Sequence, residues 1–237
     1  MRDPSGVWVL CLFALGVVVL GLVHRRHATR VRADRGRLFE SCSELLEAPC
    51  LVPRGLDFPL LQGRRRGRDI RIEPVVDTLS MRTLPVLWLV VTVRGPHRVV
   101  GQLSVLARAC GTEFYARHDQ VGERVSPAAE WPAALSVRCD ESDLVAESAE
   151  LLERIRAAMA DGTVKQVLVG PSSARVVWRC ATADSGTYRV TRRVDLTQTR
   201  VDAAALEEVL EALDAVVALA ETAVTSPSEA HRQAGVR

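Results

Sequence analysis

The chain has 237 residues, a formal net charge of +2 and a charged fraction of 25%. With charges so nearly balanced, no overall electrostatic field points to a nucleic-acid partner. Hydrophobic residues make up 48% of the chain, which excludes the disordered composition of low hydrophobicity and high net charge except near the two ends. Lys165 is the only lysine among the 31 basic residues, a bias that is typical of a GC-rich genome.

An apolar run over residues 7–23, VWVLCLFALGVVVLGLV, carries no charge. As a helix at about 1.5 Å per residue it would rise roughly 25 Å, the short end of a bilayer hydrocarbon core. A cleaved signal peptide is the alternative, but it would need a basic segment before the run and a small-residue cleavage site after it. Arg2 is cancelled by Asp3, and no A-x-A pattern follows the run. We therefore predict a short N-terminal tail over 1–6 and an uncleaved transmembrane helix over 7–23.

Arginines crowd directly behind the apolar run, and we interpret residues 24–37 as a basic juxtamembrane linker. Basic residues beside a span stay cytoplasmic. The pattern predicts a single-pass protein of the cell inner membrane, with its N-terminus outside and its domain in the cytoplasm. Four side chains are candidate contacts for anionic headgroups, each contributing on the order of 1 kcal/mol: Arg25, Arg26, Arg30 and Arg32. A role limited to setting the topology is the equal alternative.

The cysteines also favour a cytoplasmic location for the domain. Beyond Cys11 in the apolar run, the chain has an odd set of five: Cys42, Cys50, Cys110, Cys139 and Cys180. They form no C-x-x-C motif and no Cys/His spacing typical of zinc. We expect reduced thiols in the cytoplasm, with a single cystine left open as an alternative, and we expect no metal or cofactor site.

An α+β domain is predicted over 38–225, ahead of a disordered tail over 226–237. Apolar spacing predicts a short helix over 38–46 and longer amphipathic helices over 143–160 and 202–223, whereas prolines and glycines predict an irregular stretch over 49–63. Strands are predicted over 69–76, 84–93, 98–107, 112–117, 135–139, 164–169, 174–180 and 188–196, with a loop over 119–133 and a D-S-G turn at 184–186. This order indicates an α+β fold: a mostly antiparallel sheet with two amphipathic helices packed on it, preceded by one transmembrane helix.

Two charged patches lie far apart in the sequence. The basic patch consists of Arg64, Arg65, Arg66 and Arg68, with Arg71 beside them, and the acidic patch on one face of the last helix consists of Glu207, Glu211 and Asp214. The basic patch is a candidate contact for phosphates or lipid headgroups, or alternatively a solvated turn. The acidic face is a candidate partner surface that would dock a basic partner or the chain's own arginines, with a plain solvated helix face as the alternative.

The motifs of known catalytic sites are missing: the chain has no H-E-x-x-H, no G-x-S-x-G, no P-loop and no G-x-G-x-x-G. His118 is followed by Asp119, but adjacent residues on a strand point to opposite faces. Cys110 and Cys139 are available as nucleophiles in principle, but nothing in the sequence places a base beside either one. We therefore expect no catalytic residues.

Three short segments carry a resemblance of layout. They are G-R-R-R-G-R-D-I-R-I-E-P, G-T-E-F-Y and L-L-E-R-I-R, set between the N-terminal run and the acidic last helix. With this layout the chain resembles uncharacterised single-pass membrane proteins of GC-rich bacteria. The resemblance implies an acidic residue and an aromatic residue after a glycine, matched here by Gly111, Glu113 and Phe114. It implies no activity, and no functional residue carries over from it.

Taken together, the sequence predicts a membrane-anchored domain with a non-catalytic binding or scaffolding role. The expected partners are the lipid bilayer, anionic headgroups and an unknown protein, with no nucleic acid. Two alternatives stay open: a membrane-tethered enzyme that uses Cys139 or His118, and an extracytoplasmic single-pass domain.

Overall fold

The computed structural model describes residues 4–79, 84–125, 131–141, 149–192 and 194–222. Its first element is the helix α1, Pro4–Gly36, which is long and apolar enough over Leu10–Gly36 to cross a membrane. The most apolar part of that segment has a mean hydropathy of 1.5, and none of it is buried in the protein. The arginine-rich stretch that follows the apolar run therefore continues the same helix up to Gly36.

Nine antiparallel strands form one sheet. Their spatial order is β1-β2-β3-β4-β9-β8-β5-β7-β6. In chain order they are β1 Glu47–Val52, β2 Leu60–Arg65, β3 Arg68–Asp77, β4 Val86–Arg94, β5 Leu103–Ala107, β6 Glu123–Val125, β7 Leu135–Cys139, β8 Val164–Gly170 and β9 Ser173–Thr182. The other helices are α2 Ala149–Ala158, α3 Ser185–Thr191 and α4 Ala203–Thr222, with short 3-10 turns at Ser43–Leu45 and His118–Gln120. The predicted α+β fold class is confirmed.

The main core lies between one face of the sheet and the helices α2 and α4. An apolar stripe at helical spacing along α4 is buried there: Leu206, Leu210, Leu213 and Val217. The corresponding stripe of α2 is buried beside it: Leu151, Leu152 and Ile155. The central strand β4 contributes Leu87, Leu89, Val91 and Val93 to this core. Burying these alternate side chains is what holds the helices on the sheet.

The opposite face of the sheet is covered by a smaller cluster. Tyr115, in the turns that follow β5, packs on Trp88 of β4 with ring centroids 5.4 Å apart, and Val90 and Val177 complete the cluster. We call this side the helix-free face, because α2 and α4 both lie on the other one.

The strand register defines two ends of the sheet. At one end, Asp77 of β3 pairs with Val86 of β4, and Val86 pairs with Thr182 of β9. At the other end, Arg94 of β4 pairs with Asp69 and Ser173. We call the first the anchor end, because α1 contacts it, and the second the far end.

Several sequence predictions differ from the structure. The stretch over 49–63 contains β1 and most of β2 rather than irregular chain, and the expected helix over 38–46 is a series of turns with one 3-10 turn. Residues 112–117 form turns rather than a strand, and the strand predicted over 188–196 is replaced by α3, which also takes up the expected D-S-G turn. The strand expected over 98–107 begins only at Leu103, and the loop over 119–133 includes β6. The first part of the helix predicted over 143–160 and the tail over 226–237 lie outside the described residues.

Candidate functional site

The last turns of α1 dock on the anchor end of the sheet. Arg35 donates from Nη1 to the backbone oxygen of Leu56 at 2.7 Å, and its guanidinium lies 4.9 Å from the centre of the Phe58 ring. Arg32 donates from Nε to the backbone oxygen of Gly55 at 3.1 Å. Through these contacts the segment before β2 holds α1 at a defined place on the domain.

A cleft of about 500 Å³ lies beside this contact. Its walls are one side of α1 and the segments around Leu56 and after α3: His24, His27, Ala28, Val31, Arg35, Leu56, Thr191, Val194, Asp195 and Thr197. The cleft begins at the first residue after the apolar run. It therefore brings the end of α3 beside the part of α1 that follows the apolar run.

The predicted headgroup contacts on α1 are all exposed. Arg25, Arg26 and Arg30 lie along the turns just beyond the apolar run, and Arg32 uses its Nε on Gly55. Nothing in these positions prevents the first three guanidinium groups from reaching a headgroup layer.

The basic and acidic patches meet each other. Arg65 donates from Nε to Asp214 Oδ2 at 3.1 Å and also pairs with Glu211. Arg66 donates from Nη2 to both oxygens of Glu211 at 2.8 Å and lies 3.2 Å from Asp214. The pKa of Glu211 is lowered, chiefly by the Arg66 hydrogen bonds. Both patches are therefore engaged inside the chain, at the far end of the sheet.

The remaining members of these patches have different surroundings. Arg68 forms a bidentate pair with Glu221, at 2.9 and 2.6 Å, and this pairing raises the pKa of Arg68. Arg64 lies 3.5 Å from Asp69 in an exposed pair, and Glu207 is exposed. Because β3 runs from Arg68 to Asp77 at the anchor end, these arginines lie about 30 Å from that end at roughly 3.3 Å per residue.

A buried ion pair lies under the turns after β5. Lys165 Nζ is 2.8 Å from Glu113 Oε1 and donates to the backbone oxygen of Arg108, also at 2.8 Å. The Cys110 thiol and the Cys110 backbone N–H donate to the same carboxylate at 2.9 Å. Burial alone would raise the pKa of Glu113, but these hydrogen bonds and Lys165 lower it to about 2. The carboxylate is thus an ionised acceptor that organises this turn.

A second polar network crosses strands β5, β7 and β8. Gln166 Nε2 donates to Ser104 Oγ at 2.9 Å, and Ser104 Oγ lies 2.9 Å from His118 Nδ1. His118 Nε2 lies 3.0 Å from Ser136 Oγ. Since Ser104 accepts from Gln166, we assign its own proton to His118 Nδ1, which leaves a neutral imidazole that donates from Nε2 to Ser136. Burial lowers the pKa of His118 and favours this neutral form.

The residues of the predicted enzymatic alternative are therefore engaged elsewhere. His118 is held by two serines, and Cys139 is buried, which raises its pKa. The carboxylate that the alternative requires lies beside Cys110 instead, where it accepts a hydrogen bond from the thiol. All six cysteines are free thiols, and no cluster of His, Cys, Asp and Glu that could hold a metal occurs within the described ranges.

The helix-free face carries a row of arginines of which the sequence pointed only to Arg71, as part of the basic patch. Arg71 of β3 and Arg175 of β9 both pair with Thr92 of β4, so all three side chains lie on this face. With neighbouring strands about 4.8 Å apart, the two arginine Cα atoms are about 10 Å apart. Beside Arg71, a hollow of about 240 Å³ also reaches Gln62 and Arg94.

Arg175 is incompletely paired. Its Nη2 donates to the backbone oxygen of Tyr115, but its buried Nε has no hydrogen-bond partner. Burial, together with the nearby Arg117, lowers the pKa of Arg175 to about 10. Because its Nε is enclosed by the protein, the guanidinium can meet an anionic group only through its other nitrogens.

Two carboxylates of β3, Asp69 and Glu73, also lie on this face, and Asp69 lines the hollow beside Arg94. Glu73 binds Arg54 at 2.8 Å and Arg71 at 3.1 Å, and Asp69 lies 3.5 Å from Arg64. Within the part of the chain that the structure describes, Arg94, Arg175 and Arg179 have no carboxylate within 4.0 Å. Each of these arginines stands alone in an otherwise ordinary strand sequence, so only the strand register brings them together.

Comparison of the chain with protein-family models, with curated proteins and with solved structures finds no match.

Proposed function

We propose that the protein is a single-pass inner-membrane protein of a GC-rich bacterium, with its N-terminus outside and a non-catalytic binding domain in the cytoplasm. The binding surface is the helix-free face of the sheet, and the partner is a protein segment rich in carboxylates. Planar guanidinium groups hold carboxylates in bidentate pairs, which suits the arginine row around Thr92.

One observation carries this proposal. Arg175 lies half-buried on the helix-free face, and the neighbouring carboxylates Asp69 and Glu73 pair with Arg64, Arg54 and Arg71 instead. An incompletely paired, half-buried cation is costly in isolation. An acidic partner would bring carboxylates next to this positive charge.

The surfaces named in the sequence fit the proposal less well. The patch around Arg65 is engaged by α4, and the acidic face of α4 is engaged by that patch. A partner would have to displace these pairs before it could bind either one. In the row on the helix-free face, Arg71 is the member already paired with a carboxylate, Glu73, so a partner would compete with that pair.

Site-specific photo-crosslinking in the native membrane tests the proposal. A photo-crosslinking amino acid placed at Gln62, beside Arg71, is expected to capture an acidic protein, and the same amino acid at the exposed Glu208 of α4 is not. Arg94→Glu is expected to reduce the yield at Gln62 by at least about tenfold, because like charges across a contact cost several kcal/mol. The matched change Arg98→Glu alters an exposed arginine outside the row and is expected to leave the yield unchanged.

Two results would overturn this function. Equal capture at Gln62 and Glu208 would mean that the arginine row does not select the partner. Absence of a captured protein, together with turnover of a small-molecule library by the purified chain, would favour the membrane-tethered enzyme. The extracytoplasmic alternative is decided by topology, independently of the partner.

A further inference from the structure

The anchor end of the sheet exposes apolar side chains of the kind that folded domains usually cover. Val190 of α3 is 85% exposed, and Leu79 after β3 and Leu56 before β2 are 59% and 42% exposed. Single exposed apolar residues are ordinary on a protein surface. These three, however, lie in segments that the strand register gathers at the same end.

The backbone confirms that these segments are neighbours. The Ala183 N–H, just before α3, donates to the Pro85 oxygen at 2.8 Å, at the start of β4. Leu79 follows Asp77, the residue of β3 that pairs with the start of β4. Leu56 receives the hydrogen bond from Arg35 of α1. All three exposed side chains therefore belong to the anchor end.

The same end lies next to the point where α1 leaves its apolar segment. Thr191, directly after Val190, shares the cleft with His24, His27 and Val31 of α1. His24 is the first residue after the apolar run. A bilayer that ends near Val23 would thus have its headgroup layer next to the cleft that the end of α3 lines.

The charges of α3 suit an anionic headgroup layer. Residues 185–192 contain Arg189 and Arg192 and no acidic residue. The Arg192 guanidinium lies 5.7 Å from the centre of the Tyr188 ring. Tyrosine, arginine and an exposed aliphatic side chain together are the composition of a segment at a membrane interface.

We propose that the anchor end of the domain rests on the membrane surface, with Val190 inserted at the headgroup boundary and Arg189 and Arg192 on anionic headgroups. This inference rests on the proposed membrane anchoring and adds a second, peripheral contact with the bilayer. It fixes the orientation of the domain: the sheet stands on its anchor end, and the helix-free face looks sideways into the cytoplasm.

A fluorescent probe at position 190 of the full-length protein tests the contact. Cys11, Cys50 and Cys110 are replaced by serine, and Val190→Cys is labelled with an environment-sensitive dye. The matched control is Val100→Cys, because Val100 is also an exposed valine, 52% exposed, but follows β4 at the far end. Both proteins are reconstituted into nanodiscs of phosphatidylcholine and phosphatidylglycerol, with a spin-labelled lipid as quencher.

The expected result is a blue-shifted emission and at least about twofold quenching at position 190, with neither change at position 100. Arg189→Glu together with Arg192→Glu is expected to reduce the quenching at position 190 in the anionic nanodiscs. Flotation of the protein with liposomes reports the anchor separately. A protein that floats while position 190 stays in water would overturn the contact and leave the anchor standing, whereas a protein that does not float would overturn both. Equal quenching at positions 190 and 100 would also overturn the proposed orientation.

Discussion

At the scale of single residues, Asp214 has the most consequential position in the last helix. Its side chain is 3% exposed and lies against Arg65, which is 12% exposed, and against Arg66. Removing one partner of a buried ion pair leaves the other charge without compensation. Glu211 still contacts Arg65 and limits the loss.

Asp214→Ala is therefore expected to lower the free energy of unfolding by about 3 kcal/mol, at the lower end of the range for broken buried pairs. Glu207→Ala removes an exposed carboxylate from the same helix and is expected to change it by less than about 0.5 kcal/mol. Urea unfolding of both variants, followed by circular dichroism, measures the difference. Similar losses in the two variants would show that the pairs with Arg65 and Arg66 contribute nothing.

Glu113 makes stability depend on pH in the acid range. Its pKa is lowered from 4.5 to about 2 in the folded state. Because the folded-state value is the lower one, the contribution is present above the unfolded-state pKa and is lost as the pH falls from about 4.5 toward 2. A shift of this size corresponds to about 3 kcal/mol.

Glu113→Gln is expected to flatten the fall in unfolding free energy between about pH 4.5 and pH 2, measured by urea unfolding at several pH values. The pH dependence of stability that His118 causes, which starts near pH 6.5, should persist in this variant. Burial lowers the pKa of His118 in the folded state, so the unfolded chain binds the proton first and stability falls as the pH drops below about 6.5. If the unfolding free energy of Glu113→Gln still fell as steeply between about pH 4.5 and pH 2, that result would contradict the role given to the carboxylate.

At the scale of secondary-structure elements, the predictions that came from strong local patterns are confirmed. The ten-residue apolar run at 84–93 is the central strand β4, and the apolar stripe after Asp202 is α4. The hairpin of β8 and β9 turns where Gly170 and Pro171 predicted. In each case the signal is local: periodicity, length and turn residues decide the structure.

Prolines and glycines misled the prediction over 49–63. Pro49 lies in β1, an edge strand, where a missing backbone donor is tolerated. Gly63 is a strand residue of β2, and a Cβ at this position would lie 2.9 Å from the Leu46 Cβ. Close approach of the chain, not a turn, explains this glycine, and only the fold reveals that neighbour.

The segment after β9 was predicted as a strand over 188–196, following the D-S-G turn. The strand β9 already pairs with β4 and β8 on its two sides. The segment forms α3 instead, with the Tyr188 and Arg192 backbone N–H groups bonded to the oxygens four residues earlier. The open sheet edges are at β1 and β6, and their position could not be predicted from local sequence.

The turns between α1 and β1 pack the start of the domain into the core. Leu38 and Phe39 are 0% and 1% exposed, and the Leu38 oxygen accepts from the Val201 N–H at 2.9 Å. A chain that begins at Arg37 is expected to unfold cooperatively. A chain that begins at Glu47 is expected to remain unfolded, because losing each of these side chains costs about 3 kcal/mol from a total of roughly 5–15. Near-ultraviolet circular dichroism of the two chains checks this, and equal folding would contradict it.

At the scale of the whole molecule, the order of the elements along the chain predicts the fold class but does not predict the candidate site. The arginines 64–68 and the acids of α4 were recognised separately, and only the packing of α4 on the sheet shows that they pair. The row of Arg71 and Arg175 needs the register of β3, β4 and β9. Sequence separation hides such a surface, since no local pattern records which strands become neighbours.

The central claim is that an N-terminal helix tethers the domain to the inner membrane with the domain in the cytoplasm. Labelling with a membrane-impermeant maleimide tests it most directly, because Cys50 and Cys110 are exposed thiols of the domain. The variant that combines Cys50→Ser and Cys110→Ser supplies the background signal. We expect no labelling above that background in intact spheroplasts and strong labelling after the membrane is opened. Labelling of Cys50 and Cys110 in intact spheroplasts would place the domain outside and contradict the account.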